Sequence, residues 1–186
     1  HPNPLFRSDD QEMLESLIEE TGFAMVFLTT PDGPRVGHTP VISTGGGAVQ
    51  FHLARSNAMT RHLDGATALA VINGPDGYVS PRWYENRGTV PTWDYVTLEL
   101  EGLVRRMDDA QLEAFLHTLI ERHETRLGGQ PWQASECPED VWQALFGGIA
   151  GFEMEIQTWR PTIKMSQKKT AKEREQIAAG LSEAGS

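Results

Sequence analysis

The stretch Tyr78–Tyr95 carries the side chains best suited to bind a planar ligand. It packs five aromatic residues into 18 positions, together with two prolines, two arginines and several hydroxyl groups. Aromatic faces can stack on a ring system, and a few donors can fix its orientation. Pro81 and Pro91 each remove a backbone donor and favour extended backbone before them, which predicts a loop. The alternative is a loop whose aromatic side chains only cap the core.

A second candidate is the tripeptide Arg55-Ser56-Asn57, which follows an apolar, strand-like stretch. Asn57 is a favourable N-cap for a short helix predicted at roughly 57–63. A helix start presents free N–H groups and the positive end of the helix dipole. With Arg55 beside it, the tripeptide predicts an anion site, for which phosphate is the natural ligand. The alternative is that Ser56 and Asn57 only cap the helix.

Two histidines, His38 and His52, lie on predicted strands. Each could be a half-buried packing residue or a ligand. His52 is three residues from Arg55, so it is the candidate for an acid–base role if the protein is an enzyme. The sequence assigns no other catalytic residue.

Several common chemistries lack their residues in this sequence. His117 and His123 are six residues apart on a predicted helix and therefore on different faces, which makes them poor joint metal ligands. Cys137 lies between acidic residues, where a thiolate nucleophile is disfavoured. No His-Glu-x-x-His, nucleophile-elbow or Rossmann glycine motif occurs. These observations disfavour a zinc hydrolase, a thiol enzyme and a dinucleotide oxidoreductase, and no metal site is expected.

The elements that must position the candidate residues are short strands and a few helices. Six strands are predicted, at Phe23–Thr29, Arg35–Ser43, Ala48–Leu53, Ala66–Asn73, Trp93–Met107 and Ile149–Thr158. Helices are predicted at about 9–20, 57–63, Asp108–Arg126 and Glu139–Phe146. We expect a hairpin turn at Pro31–Pro34, a second turn at Gly45–Gly47, closure of the fourth strand by Gly74–Gly77, and a bulge or bend at Gly102. The fold class is therefore α+β or mainly β: a small barrel of six or so mostly antiparallel strands with peripheral helices.

The length of 186 residues suits one domain, which we expect at 1–162 with a helical insert at 108–146. The segment 163–186 is expected to be a partly disordered basic appendage. The longest apolar stretches are far shorter than the ~20 residues that cross a bilayer. With one cysteine and no signal-peptide pattern, the expected location is cytoplasmic, without membrane association.

The net charge of −10 opposes binding to nucleic acid. The stretch Arg160–Arg174 is the exception, because it holds six basic residues against the single acidic Glu173. It could bind a phosphate or an acidic partner, or it could be a solvated tail.

Five segments, taken in order, resemble one known family: Gly37–Val41, Phe51–Asn57, Tyr78–Tyr84, Val90–Tyr95 and Lys164–Gln167. The chain resembles the PaiB-type FMN-binding negative transcriptional regulators of the flavin-reductase-like split-barrel group. The resemblance covers about residues 3–181. Its most specific parts are Tyr-Val-Ser-Pro-x-Trp-Tyr and Val-Pro-Thr-Trp-x-Tyr.

The resemblance implies an FMN-binding split β-barrel that forms a homodimer, with FMN in a groove at the subunit interface. Arg55, Ser56 and Asn57 would then hold the phosphate, with His52 close by. The other implied contacts are Thr39, Pro40 and Val41 through their backbone along the isoalloxazine edge, Trp83, Thr92 and Trp93 from the aromatic loop, and Lys164, Ser166 and Gln167, whose side chains could come from the partner chain. The sequence departs from the family pattern at Ser56, where alanine is usual, and at Lys168, where asparagine is expected.

Three functions remain open at this point. The first is a flavin-binding regulator; the acidic balance and the lack of a recognisable DNA-reading helix argue against direct DNA binding. Such a regulator would act through a ligand or a partner. The second is an FMN-dependent oxidoreductase, acting on NAD(P)H and flavin or on a small molecule. The third is a haem-binding split barrel with His38 or His52 as an axial ligand.

Overall fold

The computed structural model describes residues 1–185, which contain six β-strands and five α-helices. The strands are β1 (Phe23–Thr30), β2 (Gly33–Ser43), β3 (Ala48–Ala54), β4 (Thr67–Val79), β5 (Thr92–Arg106) and β6 (Ile149–Lys164). The helices are α1 (Gln11–Thr21), α2 (Thr60–Leu63), α3 (Asp109–Leu127), α4 (Glu139–Phe146) and α5 (Ala171–Ala184). Short 3-10 turns lie at Pro4–Phe6, Pro81–Trp83 and Ala134–Glu136.

The six strands close a barrel in the order β1-β2-β3-β6-β5-β4. The β1–β2 hairpin turns where the sequence predicts it, with Thr30 opposite Gly33. Strand β3 pairs antiparallel with β2 on one side and with β6 on the other. The predicted barrel of six antiparallel strands with helices is confirmed; the predicted dimer stays a prediction.

The described chain divides into two compact units that interleave along the sequence. We call one the aromatic unit; it comprises His1–Leu14, Asn73–Leu98 and the chain from Arg160 onward. We call the other the barrel unit; it comprises Glu15–Ile72 and Glu99–Trp159. Part or all of each of the six strands lies in the barrel unit.

In the barrel unit, α3 packs Leu112, Phe115 and Leu119 against Ile42 and Met107. The helix begins with a capping box, in which the Gln111 N–H donates to Asp108 Oδ1 at 2.8 Å and the Asp108 N–H donates to Gln111 Oε1 at 3.0 Å. The sequence predicts a cap at Asp108 or Asp109, and the structure places it at Asp108.

In the aromatic unit, the buried Val79, Tyr84 and Ile177 form a separate small core, with Trp83 and Leu181 packed against it. Ile177 and Leu181 belong to α5, where the sequence predicts a loop and a loose helix over Ser166–Ala179 and a disordered end. The structure places a 14-residue helix there. No helix in residues 1–185 has both the length and the hydropathy of a membrane span.

Two local predictions are wrong. The sequence places a strand-closing turn at Gly74–Gly77, but β4 runs through these residues to Val79. Its neighbour in the barrel is β5, and the Thr97 hydroxyl donates to Asn73 Oδ1 at 3.1 Å, so strand pairing overrides the local turn preference. The helix predicted at 57–63 covers only Thr60–Leu63, because Asn57 closes a turn before it.

Candidate functional site

The expected isoalloxazine-edge residues, Thr39, Pro40 and Val41, lie on β2 in the barrel unit. Thr39 and Val41 are buried, and Val41 stands opposite Phe51 of β3. The Thr39 hydroxyl donates to the His52 carbonyl at 2.6 Å, which ties this segment to the strand that carries His52. The Val41 N–H donates to the Gly22 carbonyl at 3.0 Å, and Pro40 has no N–H. Neither residue therefore offers an uncommitted backbone donor to a ligand.

Arg55 lies just past the end of β3 and is anchored at both its backbone and its side chain. Its N–H donates to the Gly148 carbonyl and its Nε to the Gly147 carbonyl, each at 2.9 Å. The two glycines form the turn between α4 and β6. Among residues 1–185, the terminal nitrogens Nη1 and Nη2 of this exposed arginine have no protein partner. The guanidinium is thus fixed at its base and open at its tip.

Ser56 and Asn57 form the turn that follows. Ser56 is exposed, and its hydroxyl has no protein partner in the described chain. Asn57 Oδ1 accepts from the Met59 N–H at 3.0 Å, which leaves the amide nitrogen of Asn57 as a donor. The N-cap of α2 is Met59, without a side-chain bond, so Asn57 does not cap the helix as the sequence predicts. The donors that this turn presents are therefore side-chain groups, and not the N–H groups of a helix start that Asn57 caps.

His52 is half-buried on β3, with its ring edge-on to Phe115 at 5.8 Å between centroids. Burial lowers the pKa of His52 below its ordinary value, so the neutral imidazole is favoured. Its Nδ1 is buried and has no hydrogen-bond partner within residues 1–185. His38 is exposed on β2.

In the aromatic unit, Lys164 contacts four consecutive residues of the Val-Pro-Thr-Trp-Asp-Tyr segment, Thr92–Tyr95. Its ammonium donates to Thr92 Oγ1 at 2.6 Å and to the carbonyl of Trp93. It also lies 3.9 Å from Oδ1 of the buried Asp94 and 5.9 Å from the centre of the Tyr95 ring. These contacts hold the ammonium next to the first residues of β5.

The two candidate tryptophans of the aromatic unit differ in accessibility. Trp93 is 54% exposed and packs edge-on against Tyr78 at 6.1 Å. Trp83 is half-buried, and the backbone of α5 at Gly180 lies against its indole ring. Trp93 therefore has a face available for stacking, whereas one face of Trp83 is covered.

Ser166 and Gln167 form a tight turn after β6. Ser166 has φ 55°, in the left-handed region that non-glycine residues seldom occupy, and its carbonyl accepts from the Lys169 N–H. Gln167 Oε1 accepts from the Met165 N–H at 2.9 Å, and Gln167 Nε2 donates to the Ile163 carbonyl. Both amide ends of Gln167 are thus committed to the turn.

The structure therefore collects the candidates into two groups, one in each unit. Three contributors escaped the sequence analysis: the Gly147-Gly148 turn that seats Arg55, Asp94 beside Lys164, and Gly180 against Trp83. An inward-facing carboxylate within an alternating strand is a sequence feature that could have singled out Asp94. Nothing in the local sequence points to the two glycine contacts.

Residues 1–158 match the family model described as "Putative FMN-binding domain". The chain belongs to this FMN-binding domain family. The match includes every candidate of the barrel unit, together with Trp83, Thr92 and Trp93, and ends before Lys164, Ser166 and Gln167.

One curated protein and two solved structures illustrate what this chain is similar to. The Bacillus subtilis "Protease synthase and sporulation protein PAI 2" is 23% identical over 168 residues, covering 88% of this chain and 80% of that protein. A FAD and haem binding protein of Mycobacterium smegmatis has a TM-score of 0.64 at 20% identity, covering 93% of this chain and 79% of its own. The flavocytochrome Anf3 of Azotobacter vinelandii has a TM-score of 0.63 at 18% identity, and the match covers 94% of this chain and 78% of the Anf3 chain. At these identities the two structures establish a shared split-barrel fold.

Proposed function

We propose that this chain binds FMN and that the phosphate is held by Arg55, Ser56 and Asn57. The observation that carries the proposal is the turn after β3. It presents a guanidinium anchored at Nε with an open tip, next to an uncommitted hydroxyl and an amide donor, within the region that matches the FMN-binding family. A phosphate dianion requires positive charge and several donors, and these three side chains supply both.

The same residues fit FMN better than an uncharged flavin. The only charged side chain among the three is Arg55, whose open nitrogens have a planar, two-donor geometry that suits a phosphate. Bound FMN would supply hydride or electron transfer, and the residues of this chain would bind and orient it. Thr39 keeps β2 and β3 in register at this position through its bond to the His52 carbonyl.

The aromatic unit is proposed to contribute contacts to the flavin in a homodimer. The support is its exposed apolar surface: Tyr78 is 47% exposed, Trp93 54% and Val90 76%. Clustered exposed aromatic residues of this kind mark binding surfaces. Thr92, Lys164, Ser166 and Gln167 are proposed to act with Trp93, and light scattering at several protein concentrations tests the dimer.

Equilibrium titration tests the central proposal. Purified protein is freed of bound flavin and titrated with FMN, while quenching of the flavin fluorescence is followed. Saturable binding of FMN that is tighter than that of riboflavin supports a phosphate-reading site. Equal affinity for the two ligands contradicts it.

For the biological role, we propose a regulator that responds to flavin through a partner or a ligand. The support is the similarity to the Bacillus PAI 2 protein and a net charge of −10, which opposes direct contact with DNA. A promoter gel shift that persists at physiological salt would contradict the indirect route.

His52 favours a second candidate, a redox or haem protein. Its half-buried, neutral-favouring imidazole with an unpartnered Nδ1 suits an acid–base group or an axial ligand. The names of the two similar structures include haem and flavocytochrome. Turnover of NAD(P)H by the FMN-loaded protein supports the oxidoreductase, and a Soret band after haem addition, lost in His52→Ala, supports haem binding.

A further inference from the structure

Helix α5 packs against the aromatic segment, which we define as residues 79–85. The helix begins with a capping box in which Thr170 Oγ1 accepts from the Glu173 N–H at 3.2 Å. One face of the helix is buried through Ile177 and Gly180. Ile177 joins Val79 and Tyr84 in the small core of the aromatic unit.

Gly180 makes the closest approach in this packing. A Cβ atom placed at Gly180 would lie 2.3 Å from Cδ2 of Trp83, 2.6 Å from Cε2 and 2.7 Å from Cγ. These three atoms belong to the body of the indole ring, so the helix backbone lies directly on the ring face. Any side chain at position 180 would separate the helix from the tryptophan.

The residues after Trp83 are held by charged groups of the same C-terminal segment. Tyr84 is 4% exposed, and the Lys169 ammonium lies 4.1 Å from the centre of its ring. Lys172 forms an ion pair with Glu85. Three consecutive residues, 83–85, are thus each contacted by a different residue of the segment 169–180.

We propose that α5 positions the aromatic segment for the flavin and that Gly180 is the positioning residue. This rests on the proposed FMN function. The indole face covered by Gly180 is closed to a ligand, so Trp83 contributes by fixing the segment and not by stacking that face on the isoalloxazine. Helix α5 lies beyond residue 158, where the match to the family model ends.

The substitution Gly180→Ala separates packing from helix propensity, because the two change the stability of the docked helix in opposite directions. Alanine is the better helix former, so a glycine without a packing role would give a more stable helix when replaced. A glycine that seats the helix on Trp83 would instead lose the docking. Ser182→Ala is the matched control, since Ser182 is exposed on the same helix.

Hydrogen exchange of the flavin-free protein measures how firmly α5 holds residues 79–85. FMN titration measures how this packing affects flavin affinity. We expect Gly180→Ala to raise exchange at residues 79–85 at least tenfold and to weaken FMN binding about tenfold, with Ser182→Ala like the parent in both. Trp83→Leu, which removes the indole, should make the further change Gly180→Ala much less damaging. If Gly180→Ala does not fold, Lys169→Met, which removes the charge over Tyr84, is expected to give the same two changes.

The outcomes distinguish the two proposals. Exchange at 79–85 in Gly180→Ala that matches Ser182→Ala overturns the docking role. Faster exchange with unchanged FMN affinity overturns the positioning role while leaving the FMN function intact. A parent protein that does not bind FMN overturns the FMN function, and the positioning role with it, whatever the exchange shows.

Discussion

Replacing Arg55 by alanine is the sharpest test of the phosphate site. The guanidinium keeps Nε on the Gly147 carbonyl and has both terminal nitrogens open. A hydrogen bond to a charged group contributes about 1.5–3 kcal/mol. Allowing one such contribution for this exposed side chain, Arg55→Ala should raise the Kd for FMN about 10- to 150-fold. The Nε bond is exposed to solvent, so its loss should lower the free energy of unfolding by only about 0.5–1.5 kcal/mol.

Riboflavin makes the measurement specific to the phosphate. It has the same ring system and no phosphate, so Arg55→Ala should leave its Kd unchanged. Arg61→Ala is the matched control, because Arg61 lies in the same unit, is 69% exposed and pairs only loosely with Asp32 at 3.4 Å. Unchanged FMN affinity in Arg55→Ala would refute the site. Equal weakening of FMN and riboflavin would show that Arg55 shapes the site without reading the phosphate.

Three further predictions concern stability. Gly102→Ala would place a Cβ 2.1 Å from the Glu155 carbonyl oxygen and should lower the free energy of unfolding by about 1–3 kcal/mol in denaturant titration. Because burial lowers the pKa of His52, the unfolded chain binds more protons below the ordinary value of 6.5; stability should therefore fall as the pH drops through 6.5 towards the folded pKa, and less so in His52→Gln. Asp108→Ala removes the capping bond to Gln111 and should cost about 1 kcal/mol, measured as a lower Tm.

The parts of the fold that the sequence predicts well are those decided by neighbours in the chain. The start of α3 follows from the capping residue type of Asp108 and Asp109, and the β1–β2 hairpin follows from the Pro31–Pro34 turn. In each case the residues that determine the structure are close together in the chain, so their types and spacing are enough to predict it. The bounds of the helix Glu139–Phe146 are also predicted correctly.

The errors occur where a distant strand or residue overrides a local preference. Gly74–Gly77 has the composition of a turn, yet it continues β4 in a barrel where β5 is the neighbouring strand. Asn57 has the residue type of an N-cap, but its side chain closes an earlier turn onto the Met59 N–H. For the site, the sequence identifies Arg55 but not the residues that hold it in place. These are Gly147 and Gly148, some ninety residues later in the chain. No local pattern specifies that pairing.

The contacts of Lys164 show how far a pattern can lead and where it stops. The alternation of β5, which the sequence shows, puts Asp94 on the same strand face as Leu98. The structure buries both, so this carboxylate needs a cation. Six basic residues lie between 160 and 174, and only the structure selects Lys164, whose Nζ is 3.9 Å from Asp94. That ammonium has three donors, and Thr92 and the Trp93 carbonyl already accept from two of them. A flavin contact from Lys164 would have to use the remaining donor or displace a protein acceptor. The terminal nitrogens of Arg55 have no protein acceptor in the described chain, which is why Arg55, and not Lys164, is the residue on which the FMN proposal should be judged.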